Sequence, residues 1–172
     1  MFYSQKNLSI YGNPYAPEEV KIIFDDNRTW CFEKGTRAEI IGVDVVGECG
    51  VRISDPKTNV IIRNCILHDC TDGVQVLHGA FAKIVDSEVR DCSNEGLAVR
   101  GPGCLMIAQN CSILHCNSGV RVTRNSHIYL QRCDLQDNCI GIECLSQGQA
   151  VFRDDALRSL GENWCFDQPE DL

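Results

Sequence analysis

The sequence lacks any long apolar run. No stretch approaches the ~20 consecutive apolar residues that span a bilayer, and the N-terminus carries no apolar signal segment. These absences favour a soluble protein of the cytoplasm with no membrane partner. Basic residues are also few: 16 Lys and Arg against 24 Asp and Glu give a net charge of −8. Because nucleic acids are bound by clustered basic side chains, and these are scattered, nucleic acid is not an expected partner.

Zinc-type cysteine spacing is also absent. None of the 12 cysteines forms a C-x-x-C pair, so we expect neither a metal nor another cofactor. In a secreted chain this many cysteines would indicate a disulfide framework. Many of them recur at fixed intervals, however, which indicates reduced thiols packed as small apolar groups. Whether neighbouring thiols oxidise stays open, because stacked strands place Cα atoms ~4.8 Å apart, within disulfide range.

The strongest signal in the sequence is a short phrase that returns at nearly constant spacing. It reads G-V-R-I, G-V-Q-V, G-L-A-V, G-V-R-V and G-I-E-C, beginning at Gly50, Gly73, Gly96, Gly119 and Gly141. The intervals are 23, 23, 23 and 22 residues, and such a period is typical of solenoids. We expect the glycine at a bend that a Cβ atom would disfavour.

Each repeat contains three segments in which apolar and polar residues alternate, the pattern of a strand with one buried face. Three short strands in ~22 residues make one coil of a parallel β-helix, and coils must stack because none buries its inner face alone. The first segment follows the glycine, and the third ends in a cysteine phrase. The inward residues predicted for the second segment are Val60, Ile62, Ala82, Ile84, Leu105, Ile107, Ile128 and Leu130.

Two columns of small residues are predicted to form structural ladders along the third segment. The first column contains Cys65, Cys111 and Cys133, with Ser87 between them, and the second contains Cys70, Cys92, Cys116 and Asn138.

These phrases resemble the β-helix repeats of the pectin-lyase-like superfamily over roughly residues 8–153. N-C-I-L-H-D-C-T-D-G-V-Q-V and G-A-F-A-K-I-V-D-S-E-V are most similar to its intracellular branch. That branch includes β-helix F-box substrate receptors and cytokinesis proteins that bind the SHC SH2 domain. The opening L-S-I-Y-G-N-P-Y-A-P-E-E-V-K-I is similar to the entry coil of the second group. The resemblance implies substrate recruitment or cytoskeletal scaffolding, and additional domains ahead of the β-helix.

We therefore predict an all-β chain, a single right-handed parallel β-helix of about six or seven coils with 22–24 residues in each. Residues 1–153 form the β-helix, with irregular entry coils at 1–48 and regular repeats at 49–153. Residues 150–152 are expected to be the last strand. Residues 154–172 are expected to form a short helical cap closed by Trp164 and an acidic tail. The open edge of the first coil makes a larger assembly a further expectation.

Candidate functional side chains are those that point outward, because the interior of a β-helix is filled. Contiguous outward apolar residues often mark an interaction surface, so we favour a non-enzymatic binding or scaffold module that recognises a protein, or a glycan. A structural subunit of a larger assembly is an alternative. The predicted partner-binding residues lie on the second strand and are Ile61, Lys83, Val85, Met106 and Tyr129.

The outward face of the first strand supports an enzymatic alternative: a polysaccharide lyase, hydrolase or epimerase. Arg52, Arg100 and Arg121 would grip an acidic sugar there. The face lacks the aspartates with which lyases of this fold hold calcium. Glu88 and Asp134, the candidate carboxylates of a hydrolase, are expected two coils apart, and we interpret them as ordinary surface acids. The four histidines fall in different columns and are expected to be isolated at the surface.

Overall fold

The computed structural model describes residues 7–24, 29–153 and 164–166. These residues form an all-parallel β-solenoid of about six turns, which confirms the predicted fold class. Apart from a single 3-10 turn, Pro17–Glu19, their regular elements are strands. Within the described ranges no helix is both long and apolar enough to cross a membrane.

The turns contribute strands to three sheets, which we number in their order along the repeat. The first sheet contains β3 (Thr29–Phe32), β6 (Cys49–Ile53), β9 (Asp72–Leu77), β12 (Glu95–Arg100), β15 (Ser118–Thr123), β17 (Ile140–Leu145) and β19 (Trp164–Phe166). The second sheet contains β1 (Asn7–Tyr11), β4 (Arg37–Ile41), β7 (Asn59–Arg63), β10 (Phe81–Val85), β13 (Leu105–Gln109), β16 (His127–Gln131) and β18 (Gln149–Arg153). The third sheet contains β2 (Lys21–Ile23), β5 (Asp44–Val46), β8 (Ile66–His68), β11 (Glu88–Arg90) and β14 (Ser112–Leu114).

The core runs the length of the solenoid because strands of neighbouring turns pair in register and stack like residues on like. In the first sheet Val74, Leu97 and Val120 pair in sequence and are all fully buried. In the third sheet Leu67, Val89 and Ile113 do the same. Alternation at period two therefore separates a filled interior from an outer surface that carries the polar residues.

One strand departs from the predicted register. Leu105 and Ile107 were expected to point inward, with Met106 outward, and all three assignments are wrong. Met106 has no exposed surface and pairs between Ala82 and Ile128, both of them fully buried. Ile107 is half-buried and lies on the outer side of β13.

The cause is the length of the corner that leads into β13. Six residues, 100–105, separate Val99, the last inward residue of β12, from Met106. One turn earlier, only five residues, 77–81, separate the equivalent pair, Val76 and Ala82. Gly101 and Gly103 lie in this corner with φ of 106° and 75°, a region that favours glycine. A single additional residue exchanges the two faces of the strand that follows.

The C-terminal end also differs from expectation. Residues 150–152 do lie in β18, but β18 is not the last strand, because Trp164 lies in β19 and pairs with Ile142 of β17. The helical cap predicted after residue 153 lies outside the described residues. Within the entry coils, the chain turns between β4 and β5 at Gly42, where φ is 65°.

Candidate functional site

The outer surface of the second sheet consists of three columns of side chains, which we call the second-sheet face. Strand pairing in exact register defines them. The central column is Glu39, Ile61, Lys83, Ile107, Tyr129 and Val151. One flanking column is Arg37, Asn59, Phe81, Leu105, His127 and Gln149, and the other is Ile41, Arg63, Val85, Gln109, Gln131 and Arg153.

Apolar side chains are concentrated in the middle of this face. Tyr129 and Val151, neighbours in the central column, have 38% and 36% of their surface exposed. Ile107 lies next to Tyr129 in the same column and is half-buried. Phe81 and Leu105 pair with each other in the flanking column, also half-buried. The second-sheet face thus carries a group of neighbouring apolar side chains that are not part of the core.

The structure places three of the five predicted partner-binding residues, Ile61, Lys83 and Tyr129, in the central column. Val85 occupies an outward register position, but only 8% of its surface is exposed. Met106 belongs to the core, so its assignment to the surface is wrong. The one-residue shift at the preceding corner puts Ile107 in its place.

The described N-terminal residues do not cover the second-sheet face. Residues 7–24 form the first turn of the solenoid, with β1 paired to β4 at the edge of the second sheet and β2 paired to β5 in the third. The segment between them crosses to the third sheet, where the Asp44 amide donates to the Val20 carbonyl oxygen at 3.0 Å. These residues therefore extend the sheets and leave the outer face open.

The outer surface of the first sheet carries a cluster of paired charges around Arg52, Arg100 and Arg121. Arg121 pairs with Ala98 of β12 on one side and with Glu143 of β17 on the other. Its Nη1 donates to Glu95 Oε1 at 2.9 Å, and its Nε lies 2.9 Å from Glu143 Oε2. Arg100 Nη2 donates to the other oxygen of Glu95. Both arginines are therefore paired with carboxylates, of which Glu95 was not identified from the sequence.

Glu95 is the centre of this cluster, and its side chain is completely buried. It follows Asn94, whose Nδ2 donates to Asp72 Oδ1 at 2.9 Å, and its own amide donates to the same oxygen at 3.2 Å. Gln75 joins the cluster to Arg52: its Oε1 accepts from Arg52 Nε at 2.9 Å, and its Nε2 donates to Asp72.

The pKa values of the two buried carboxyl groups, Asp72 and Glu95, shift in opposite directions. Burial, and a hydrogen bond with Glu95, raise the pKa of Asp72 above its usual range. Burial also opposes ionisation of Glu95, but hydrogen bonds from Asp72, Arg121 and Arg100 outweigh it and lower the pKa of Glu95. Asp72 is thus the more readily protonated of the two and Glu95 the more readily ionised, as expected for adjacent carboxyl groups that share a site.

Replacing Glu95 by glutamine should lower the free energy of unfolding by about 2 kcal/mol at pH 7, because two hydrogen bonds from arginine lose their charged acceptor. The folded pKa of Glu95 lies below the usual 4.5, so its contribution is complete above that pH and is lost as pH falls through the folded value. Urea unfolding of both proteins should therefore show a constant gap above about pH 5. The gap should shrink at lower pH.

Glu39→Gln is the matched control for that experiment. Glu39 is paired with Arg63 at 3.3 Å, but about a third of both side chains is exposed, and exposed pairs contribute at most about 1 kcal/mol. An equal loss in the two variants, or a gap for Glu95→Gln that does not change with pH, would show that the buried charge is not what stabilises the cluster.

The third sheet corrects the expectation that all histidines are isolated at the surface. His68 is 8% exposed. Its Nε2 lies 2.9 Å from Asp44 Oδ1, and its Nδ1 lies 2.6 Å from Asp69 Oδ2. His115 is exposed, but it stands 3.6 Å from Asp91 and 3.8 Å from Asp137 in a column of turn residues. In the described ranges no three His, Cys, Asp or Glu side chains are arranged to hold a metal ion.

The candidate hydrolase carboxylates are separated as expected. Ser112 pairs with Glu88 on one side and with Asp134 on the other, so the two acids lie two turns apart. Glu88 is moreover bonded to Arg90 at 2.5 Å.

The cysteine columns lie inside the solenoid. Cys65, Cys111, Cys133, Cys70, Cys92 and Cys116 each have at most 4% of their surface exposed. The eleven cysteines from Cys31 to Cys144 are free thiols. Burial raises the pKa of the Cys70 thiol to about 11. A hydrogen bond between Cys111 and Cys133 raises the pKa of Cys111 and lowers that of Cys133.

Asn138 ends the second column in place of a cysteine. Its Nδ2 donates to the carbonyl oxygens of Ile113 and Leu135 at 2.8 and 2.9 Å, and its Oδ1 accepts from the Cys116 amide at 2.8 Å. The amide therefore closes the turn with three hydrogen bonds to the backbone.

Comparison with known proteins supports the fold. A search of curated proteins and a search of solved structures each gave no match. A family model described as "Right handed beta helix region" matches residues 4–157, which includes the strands from β1 to β18. With both sheet pairing and sequence in agreement, this chain belongs to the right-handed β-helix family.

Proposed function

We propose that this chain is a non-enzymatic binding module of the cytoplasm whose protein partner docks on the second-sheet face. The observation that carries the proposal is the row of apolar side chains on the outside of β7, β13, β16 and β18, where alternation would ordinarily place polar groups. Covering these side chains removes apolar surface from water, which is the main driving force for association. The resemblance to F-box substrate receptors and to the cytokinesis proteins that bind the SHC SH2 domain points to the same class of function.

The proposal predicts that the variant Ile107→Asp, Tyr129→Asp loses its partner. Two carboxylates at the centre of an apolar interface must be desolvated without compensation, so retention should fall about tenfold or more. The measurement is quantitative mass spectrometry of proteins retained from a cell extract by immobilised wild-type and variant protein.

Leu114→Asp is the matched control. Leu114 is a half-buried outward residue of the third sheet, paired with Arg90, so the change is the same kind of substitution away from the proposed interface. It should leave retention unaltered. Equal retention by wild type and the double variant, or an equal loss in the control, would contradict docking on the second-sheet face.

The enzymatic alternative is tested on the same protein. A panel of acidic and neutral polysaccharides, with and without calcium, is followed for reducing ends and unsaturated products. We expect no turnover, since Arg100 and Arg121 are already paired with Glu95. Turnover that is lost in Arg121→Ala would place an active site on the first sheet and overturn the proposal.

A further inference from the structure

We propose that the partner segment bound by the second-sheet face is acidic, with carboxylates interspersed among its apolar side chains. This inference rests on the proposed function and specifies the chemistry of the partner. It is drawn from the charges of the face and from one lysine at its centre.

The face is positively charged on an acidic protein. It contains four cations, Arg37, Arg63, Lys83 and Arg153, and one carboxylate, Glu39, for a formal charge of +3. The whole chain has a charge of −8. Complementary potentials favour the encounter of two surfaces and penalise partners of like charge. The second-sheet face therefore selects for an acidic segment.

The other two outer surfaces lack this excess. On the first sheet Arg100 and Arg121 are compensated by Glu95 and Glu143. On the third sheet Arg90 lies between Glu88 and Asp91 at 2.5 and 2.6 Å. On the second-sheet face Glu39 is paired with Arg63. Among the described residues, no ion pair involves any of the other three cations.

Lys83 provides the most specific argument. It lies in the central column between Ile61 and Ile107, and it is already half-buried. A partner that covers the two isoleucines must cover Lys83 as well. Burying an ammonium group without an opposite charge costs several kcal/mol, so a stable complex needs a carboxylate at this point. The partner must thus present an acidic side chain flanked by apolar ones, ~4.8 Å away on either side along the column.

The test is an unbiased selection of random linear peptides displayed on phage against the immobilised wild-type protein, with counter-selection against Ile107→Asp, Tyr129→Asp. We expect the enriched peptides to carry net negative charge and to bind less tightly as salt concentration rises. We also expect Lys83→Glu to weaken their binding by about tenfold or more, because attraction is replaced by repulsion. Lys57→Glu makes the same change in net charge at an exposed corner residue and should have little effect.

The outcomes separate this inference from the function on which it rests. Peptides that need Ile107 and Tyr129 but show no acidic preference, or bind Lys83→Glu as well as wild type, would overturn the acidic partner and leave the docking face standing. A selection that yields only peptides indifferent to Ile107→Asp, Tyr129→Asp, or none at all, would overturn both.

Discussion

Met106→Asp should unfold the protein, whereas Ile107→Asp at the next position should leave it folded. Met106 has no exposed surface and packs between Ala82 and Ile128 in neighbouring turns. Removing its side chain costs about 2–5 kcal/mol, and an unpaired buried carboxyl group adds several more. The sum is comparable with the entire stability of an ordinary domain, about 5–15 kcal/mol. Far-UV circular dichroism and urea unfolding at pH 7 measure the loss.

Ile107→Asp is the internal control, because the same aspartate placed one residue along the chain faces the solvent side of β13. Its cost should stay at about 1 kcal/mol, the centre of the distribution for point substitutions. Loss of the fold in both variants, or in Ile107→Asp alone, would contradict the register of β13 and, with it, the place of Ile107 in the second-sheet face.

Gly96→Val should cost at least about 3 kcal/mol, the upper range for overpacking a core. A Cβ atom on Gly96 would lie 2.5 Å from Ile113 Cγ2 and 2.7 Å from the Gly119 carbonyl oxygen. Neither atom can move away without a large cost in free energy, since Ile113 is a core side chain and the Gly119 carbonyl belongs to the backbone of the next turn. The midpoint of thermal or urea unfolding checks the result.

Gly35→Ala separates this steric effect from backbone strain. Gly35 has φ of 73°, but a Cβ atom there would have Lys57 Cβ, at 3.9 Å, as its nearest neighbour. Its cost should be limited to the left-handed conformation, about 1–2 kcal/mol. If Gly96→Val were no more destabilising than Gly35→Ala, the close approach of successive turns at the repeat glycine would not be what selects glycine there.

For the repeat glycine, the sequence correctly predicted the fold from its period but not the full physical reason for glycine at that position. Its period correctly predicted the parallel solenoid, because 23-residue spacing with three alternating segments fits few other folds. The reason offered for the glycine was incomplete, since Gly96 is not among the residues with positive φ. What excludes a Cβ is the carbonyl of the glycine in the next turn, a contact between residues far apart in sequence that local pattern does not contain.

Two features of the candidate surfaces escaped prediction for related reasons. Strict alternation backward from the buried Leu97 would point Glu95 into the core. The chain bends at Gly96, however, where a Cβ atom would point into the core. Glu95 therefore lies on the outer side of the first sheet. The residues that precede Gly73 and Gly96 are Asp72 and Glu95. Aligning the repeats at this position would have revealed that these two carboxyl groups are neighbours. The outward position of Ile107 depended on counting corner residues rather than on the strand itself. Columns of like residues were predictable, whereas local departures from the period were not.

The corner between the first and second sheets has a consequence for protein engineering. It holds an additional residue before β13, yet the sheets on either side keep their pairing with both neighbouring turns. The number of residues in this corner can thus change without altering the pairing of the strands on either side. A foreign peptide grafted at the exposed Pro102 would be displayed at the side of a rigid rod, and the same graft at neighbouring corners would form an array with ~4.8 Å between successive copies.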